Sequence, residues 1–331
     1  MTLAVRLPCA CRAPAVRLPC ACRAPAVRLP CDAPIAAYQE QATQLLAGHR
    51  AHAPEALRIF HECLPRFLDP VVTWKLLAVS EDEIRAAALT PDDARLAVAR
   101  GYSFRDWSAL TAHVSDVTTP GSPVQEFETA VEAVITGDSA ALRAMLTTNA
   151  GLVHARSTRV TCHDPAVHGA TLLHYLGANG IEGHRQRSPA SAVQIAKILL
   201  DGGAAVDALA GMYGGEYATL SMLISSSPPA EAGVQIPLVN TLLDYGAAIN
   251  GTSSPTWHSP VLTALLFGFR DAAEAVTARS GNLALVQLLV ARGAQLDIHD
   301  TLWNTTLLGW ARYAGHEPVA AYLAQHGATD D

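Results

Sequence analysis

The chain has 331 residues, of which half are hydrophobic and only 16% are charged. This composition predicts a folded protein, built either as two ordinary domains or as one elongated array. The formal net charge of −7 disfavours nucleic acid as a partner, because surfaces that bind nucleic acid are basic.

The sequence also disfavours a membrane location. No apolar run approaches the roughly 18–20 residues that a membrane span needs. Arg and Pro interrupt the N-terminal stretch where a secretory signal would have a continuous apolar core. We therefore expect a cytoplasmic protein.

The first 34 residues form a tandem repeat rich in Pro, Cys and Arg. The sequence AVRLPCACRAP occurs at 4–14 and again at 15–25, and a shorter copy, AVRLPCDAP, occurs at 26–34. Pro recurs every few residues, which opposes a helix or a central strand. The Cys-x-Cys pairs are compatible with a zinc or copper(I) site. Identity at every position favours instead a recent duplication or a start codon placed too early, so we predict that 1–34 is a disordered tail outside the fold.

A helical leader is predicted over 35–118, where apolar residues recur three and four positions apart. The sequences SEDE at 80–83 and TPDD at 90–93 are typical of capping boxes, which begin helices. Gly101 is expected to end the second of these helices in the left-handed conformation. The turn-rich TTPGSP at 118–123 then predicts a boundary.

A Gly-Ala pair that follows a leucine-rich segment recurs through the remaining residues, 124–331. The pairs begin at Gly203, Gly246, Gly293 and Gly327, with spacings of 43, 47 and 34 residues. Segments such as TLLHYLGANG and TLLGWARYAGH stand upstream, and their Thr can cap the start of a helix. A base period near 33 residues with insertions is typical of stacked helical repeats.

These motifs resemble the ankyrin repeat, which has Thr-Pro-Leu-His near its first helix and Gly-Ala after its second. We count about five units, with 127–156 as a divergent first unit; the second motif position holds Pro only at Pro260, which leaves the register of the third unit open by about two residues. The segment 94–114 looks like a helical segment that precedes such arrays in many bacterial proteins. The resemblance to bacterial ankyrin-repeat domain-containing proteins implies an all-α solenoid with extended finger loops, and a function in binding another protein.

Large aromatic residues recur near the tips of three fingers. Tyr213, Trp257 and Trp303 follow the Gly of their Gly-Ala pairs by ten or eleven residues. Stacked units would align them, and Tyr and Trp dominate many protein-binding surfaces, so we predict that they are partner-binding anchors. Packing of each ring on its neighbouring finger is the alternative. Three glycines within 211–220 predict tight turns or a close approach to the backbone. The predicted contact residues beside the anchors are Met212, Glu216, His258 and Asn304.

Insertions at 180–191 and 225–235 fall between the two helices of their units, and such insertions often gather on a binding face. His184, Arg185 and Arg187 make the first insertion locally basic. We predict that they form a secondary loop surface suited to a carboxylate or a phosphate. A tolerated solvent loop is the alternative.

The rival hypothesis is a small-ligand or metal-dependent activity centred on 162–187. The main Cys/His concentration of the predicted folded region comprises Cys162, His163, His168, His174 and His184. Their spacing matches no tetrahedral zinc signature, and no GxSxG, phosphate-binding Gly-rich loop or HExxH motif is present. We therefore expect no enzyme, no cofactor and no metal. A third hypothesis is a structural array whose partner is the leader itself, over 36–118.

Overall fold

The computed structural model describes residues 28–69, 76–177, 181–212, 215–250, 278–299, 305–313 and 315–329. Across these residues the structure is mainly helical, as the repeat pattern predicts, with a single two-stranded sheet. The helices pack around two hydrophobic cores, one in the leader and one that runs through the array. Within the described ranges, no helix has the length and apolarity needed to cross a membrane.

The leader begins with a helix at Ile35, the residue at which the sequence places the start of the leader. Its helices are α1 (Ile35–Arg50), α2 (Pro54–Cys63), α3 (Glu81–Ala86), α4 (Pro91–Gly101) and α5 (Trp107–Val117), with a short 3-10 turn at Pro65–Phe67. Both predicted capping boxes form. Ser80 Oγ accepts the Glu83 N–H at 3.2 Å, and the Glu83 carboxylate accepts the Ser80 N–H at 2.7 Å. Thr90 and Asp93 repeat this exchange, so otherwise unpaired N–H groups at both helix starts are satisfied.

The end of α4 differs from the prediction. Ser103 has a φ of 66° and takes the left-handed position, whereas Gly101 is the buried last residue of the helix. Gly101 stays in the helical conformation because the N–H of Tyr102, the residue that caps the helix, still bonds to helical carbonyls. The Phe104 N–H then bonds to the Ala99 carbonyl at 2.9 Å, which closes the turn and directs Phe104 into the leader core.

The last part of the tandem belongs to the fold, so the expectation of a disordered tail over 1–34 is wrong for residues 28–34. Arg28 forms an ion pair with Glu132 of the array, and Ala33 is buried in the leader core. A Pro-rich segment can pack in this way without regular structure when its side chains find apolar and charged partners. The rest of the tandem lies outside the described residues.

The array follows directly after a turn at 118–122. Its described helices are α6 (Pro123–Thr136), α7 (Ser139–Thr148), α8 (Ala192–Asp201), α9 (Thr219–Ser225), α10 (Ser227–Glu231), α11 (Gln235–Asp244), α12 (Ala278–Ala291), α13 (Leu307–Tyr313) and α14 (Glu317–Gln325), with 3-10 segments at Ala150–His154, Leu172–Gly177 and Gly183–Arg185. In the second unit, the first helix is therefore a 3-10 segment. The predicted Thr cap forms at Thr306, whose Oγ1 accepts the Gly309 N–H at 3.0 Å.

The turn after each second helix has the same geometry in all four units that carry a Gly-Ala pair. The φ angles of Gly203, Gly246, Gly293 and Gly327 are 93°, 89°, 89° and 93°, in the left-handed region that Gly adopts without strain. The N–H of the following Ala bonds in every case to the carbonyl five residues earlier, at 2.9–3.0 Å. This repetition confirms that the Gly-Ala pairs mark equivalent positions of a repeat.

The sheet is a β-hairpin that projects from the second unit. Strand β1 (Leu209–Met212) pairs antiparallel with strand β2 (Gly215–Ala218), and Met212 stands opposite Gly215. This hairpin corresponds to the first predicted aromatic finger.

Candidate interaction surfaces

The hairpin finger is held against the array by hydrogen bonds to the backbone of both strands. The Gly211 N–H donates to the His168 carbonyl at 2.8 Å, and Arg156 Nη1 donates to the Leu209 carbonyl at 2.7 Å. On the other strand, His174 Nε2 lies 3.1 Å from the Tyr217 carbonyl, as a donor. Both strands of the finger are thus held by side chains or backbone of the preceding segment.

Gly211 explains part of the glycine concentration in this finger. A Cβ at this position would lie 2.6 Å from Pro165 Cγ, closer than real Cβ atoms approach. The predicted close approach to the backbone is therefore present. The molecule that approaches is the chain itself, which lies across β1.

Of the predicted contact residues, Met212 and Glu216 lie within the described residues, and they differ in solvent exposure. Met212 is 1% exposed and packs in the array core, so its predicted place on the surface is wrong. Successive strand residues point to opposite faces, and Ala210 and Met212 share the inward face of β1. Glu216 is exposed on β2. The finger therefore has an inward apolar face, and an outward face on which Leu209 and Glu216 are exposed.

The remaining predicted contact residues lie outside the described residues. These are Tyr213, Trp257, Trp303, His258 and Asn304. Their role as anchors and neighbours stays a prediction, based on the repeated offset from the Gly-Ala pairs.

Neighbouring fingers are joined by side-chain hydrogen bonds to backbone. Both carboxylate oxygens of Asp207 lie 3.1 Å from the Ala248 nitrogen, whose N–H they accept. Asn250 Oδ1 accepts the Gln295 N–H at 2.9 Å, and Asn250 Nδ2 donates to the Gly293 carbonyl at 3.0 Å. We call these contacts the finger ladder. A signal for it exists in the sequence, since Asp207 and Asn250 each stand four residues after the Gly of a Gly-Ala pair.

Two of the three basic residues predicted to form a loop surface in 180–191 are buried. Arg185 is 2% exposed and His184 is 6% exposed, so their predicted place on a loop surface is wrong, whereas Arg187 is exposed as predicted. The reason is a pair of carboxylates that receives Arg185. A basic residue enters a protein interior when its charge is paired and its donors are satisfied.

The two carboxylates and two guanidinium groups form a buried ion cluster of Glu128, Arg159, Glu182 and Arg185. Arg159 Nη2 donates to Glu128 Oε2 at 3.1 Å, and Arg185 Nη1 donates to Glu182 Oε2 at 3.0 Å. Arg185 also donates to Glu128, and Arg159 Nε lies 3.5 Å from Glu182 Oε2. Each carboxylate therefore contacts both guanidinium groups, and the cluster is balanced in charge.

Neutral and aromatic side chains complete the contacts of the cluster. Tyr175 OH donates to Glu182 Oε1 at 2.6 Å, and His168 Nε2 lies 3.1 Å from the same oxygen. Burial would raise the pKa of Glu182, but Arg159 and Arg185 outweigh it and hold that pKa well below its usual range. Both carboxylates are therefore ionised, and the cluster is a set of fixed charges.

The leader contributes one wall of the ion cluster. The Arg159 guanidinium lies 4.6 Å from the centre of the Phe104 ring, and its Nη1 donates to the Tyr102 carbonyl at 3.4 Å. The Tyr102 ring meets the His184 ring edge to face, with centroids 5.4 Å apart. The Arg105 N–H also bonds to the Val160 carbonyl at 2.9 Å. Leader and array are thus joined through aromatic, cation–π and backbone contacts.

The histidines around this junction are neutral. Burial, followed by the Arg159 charge, lowers the pKa of His113 to about 3, although Glu128 Oε1 lies 3.8 Å from its Nε2. Burial also lowers the pKa of His174 to about 4 and that of His184 well below its usual value. An uncharged imidazole at neutral pH suits hydrogen bonding and ring packing in a buried site.

The rival hypothesis of a metal site at 162–187 finds no support in this geometry. Among the described residues, no group of three or more His, Cys, Asp or Glu has the arrangement needed to hold a metal ion. His168 and His174 bond instead to Glu182 and to the backbone of the finger. Both histidines have structural partners.

Two solved structures similar to the chain are ankyrin-repeat proteins. The ankyrin repeat domain of Bcl-3, described as a unique member of the IkappaB protein family, is 22% identical with a TM-score of 0.41, over 60% of this chain and 70% of that chain. EF0377, an ankyrin repeat protein, is 19% identical with a TM-score of 0.31, over 59% of this chain and 96% of that chain. No protein-family model and no curated protein matches the chain. The repeat architecture of this chain is established by the shared geometry of its own Gly-Ala turns. The similarity to these two structures does not indicate what the chain binds.

Proposed function

We propose that the chain binds a protein partner through the tips of its fingers. Tyr213, Trp257 and Trp303 would be the anchors, and Glu216 would add a charged contact at the edge of the first finger. Aromatic anchors surrounded by polar residues are the usual composition of energetically important binding sites.

The observation that carries this proposal is the finger ladder. Asp207 and Asn250 tie each finger to the next, and the hairpin is held against the array by hydrogen bonds to both of its strands. These contacts fix the bases of the fingers, and a base that is already ordered lowers the conformational entropy lost when a partner docks, so more of the contact energy appears as affinity.

Photo-crosslinking of the full chain tests the proposal. A photoreactive amino acid at position 216 is expected to crosslink to one protein in native lysate, and the same label at position 313 on α13 is expected to give no such product. The crosslink from 216 should disappear when Tyr213, Trp257 and Trp303 are all replaced by Ala. It should persist in Tyr313→Ala, a matched aromatic deletion at a residue that is 69% exposed. An unchanged crosslink in the triple variant would show that these three aromatic residues are not required for binding.

A second role is favoured by the contacts around the ion cluster. We propose that the leader, 35–118, covers the first unit of the array and acts as its N-terminal cap. Terminal units of stacked repeats need a partner for the face that a neighbouring unit would otherwise cover. His113 of the leader lies 3.8 Å from Glu128 of the first unit, and Phe104 and Tyr102 extend the contact to Arg159 and His184.

A further inference from the structure

Residues 28–34, which belong to the third copy of the N-terminal tandem, are held in a defined site between leader and array. Arg28 forms an ion pair with Glu132 on α6. The Leu29 N–H donates to Tyr102 OH at 3.0 Å, and that hydroxyl donates to Gln41 Oε1 at 3.2 Å. We call the site made by Gln41, Tyr102 and Glu132 the tail site.

The tail site recognises a charged side chain, a backbone N–H and an apolar side chain together. The Leu29 side chain is half-buried against the leader core, and Cys31 is half-buried next to it in sequence. Burial raises the pKa of the Cys31 thiol, which lowers its thiolate fraction at neutral pH. Arg28 is also half-buried, so its charge needs the Glu132 carboxylate more than an exposed Arg would.

The residues that make these contacts occur three times in the chain. The sequence AVRLPC is identical at 4–9, 15–20 and 26–31, and the third copy differs from the first two only after Cys, with DAP in place of ACRAP. Arg6 and Arg17 therefore stand in the same local sequence as Arg28. The contacts made by the Arg28 side chain and by the Leu29 N–H are therefore available to all three copies, whereas the place of the buried Ala33 is taken by Cys in the first two.

We propose that the tail site is a binding site for the AVRLPC segment, and that the three copies of one chain compete for it. Tether length sets the order of occupancy. Between Cys and the start of α1 at Ile35 there are 3 residues for the third copy, 14 for the second and 25 for the first. The entropic cost of closing a flexible loop rises with its length, which favours the third copy over the second and the second over the first.

Replacement of Arg28 distinguishes two alternatives: a site for which the three copies compete, and a site that accepts the third copy alone. In Arg28→Glu, the new carboxylate would face Glu132, and occupancy is expected to pass to the second copy. The measurement is the rate of alkylation by iodoacetamide at Cys9, Cys20 and Cys31 of the full chain, resolved by mass spectrometry. In the parent, Cys31 is expected to react most slowly. In Arg28→Glu, Cys31 should accelerate and Cys20 should slow by at least twofold relative to the parent.

Two matched variants calibrate these rates. The double variant Arg6→Glu/Arg17→Glu should keep the slow reaction of Cys31, because the third copy is intact. The triple variant with all three replacements should give three fast cysteines. If Arg28→Glu lowers the melting temperature, Arg28→Ala replaces it, because this change removes the positive charge without adding a negative one. Circular dichroism checks that each variant is folded.

Two results would overturn the proposal. If Cys20 in both Arg28 variants reacts as fast as in the triple variant, the tail site accepts the third copy alone. If Cys20 is slowed only at high protein concentration, and the mass in solution rises to that of a dimer, the site is filled by a second molecule and the competition is not within one chain.

Discussion

At the scale of single residues, the least expected feature is the burial of four charges in one cluster. Glu182 is fully buried, and it receives donors from Tyr175 and Arg185 as well as the nearby charge of Arg159. Each of these charges is costly to bury alone and tolerated only because the others are present. The stability of this region therefore depends on keeping the set complete.

Neutralising one carboxylate should expose that dependence. Glu182→Gln leaves Glu128 as the one fully buried carboxylate of the cluster, with Glu132 a more exposed partner of Arg185, so the free energy of unfolding should fall by about 3–5 kcal/mol. Denaturant titration of the full chain measures it. The control is Glu216→Gln on the exposed strand β2, which should leave stability unchanged. A Glu182→Gln protein as stable as the control would show that the cluster's charges are not mutually required.

The buried histidines predict a loss of stability in mild acid. The pKa of His113 is lowered to about 3 and that of His174 to about 4 in the folded chain, against about 6.5 when unfolded. Between these values the unfolded chain binds protons that the folded chain does not. The neutral His113 and His174 therefore contribute fully to the free energy of unfolding above about pH 6.5. This contribution falls as the pH drops, by up to about 1.4 kcal/mol per pH unit for each residue.

Denaturant titrations between about pH 7.5 and about 4.5 check this dependence, because the paired carboxylates lose their contribution only at lower pH. His113→Leu should reduce the slope by up to one proton. A flat profile in the parent, or an unchanged slope in His113→Leu, would contradict the assignment.

At the scale of elements, the parts predictable from sequence are those fixed by local chemistry. The capping boxes at Ser80 and Thr90, and the Gly of each Gly-Ala pair, act over four to six consecutive residues. The ion cluster could not be predicted in this way, because Arg159 and Arg185 find their carboxylates through the fold. Arg and Glu are mostly exposed, so a sequence interpretation assigns Arg185 to a surface. The finger ladder is an intermediate case. The sequence shows that Asp207 and Asn250 stand at the same offset from a Gly-Ala pair, but it does not show which N–H group each side chain accepts.

The finger ladder makes a prediction about local motion. Asp207→Ala removes the acceptor of the Ala248 N–H, which should raise the hydrogen-exchange rate of that amide by about five- to tenfold. Mass spectrometry of the peptide that contains Ala248 measures the rate. Asp201→Ala is the control, since Asp201 bonds instead to Tyr245 OH at the end of α11. Equal exchange in the two variants would mean that the ladder does not restrain the fingers.

At the scale of the whole molecule, leader and array are expected to unfold as one unit. Phe104 lies against Arg159 at the junction, whereas Phe60 is buried inside the leader core. Phe104→Ala should split the calorimetric transition into two, because it removes the contact that couples the parts. Phe60→Ala should lower the melting temperature while leaving one transition. Two transitions in the parent would show that the junction does not couple the parts.

Binding through the fingers is the central claim, and the affinity of the crosslinked partner tests it most directly. Isothermal titration of the purified partner should give a dissociation constant at least about 100-fold weaker for the Tyr213→Ala/Trp257→Ala/Trp303→Ala chain than for the parent, since anchors of this type contribute about 2 kcal/mol or more. Tyr313→Ala should bind as the parent does. If the triple variant is folded and binds with the parent's affinity, the finger tips are not the binding site.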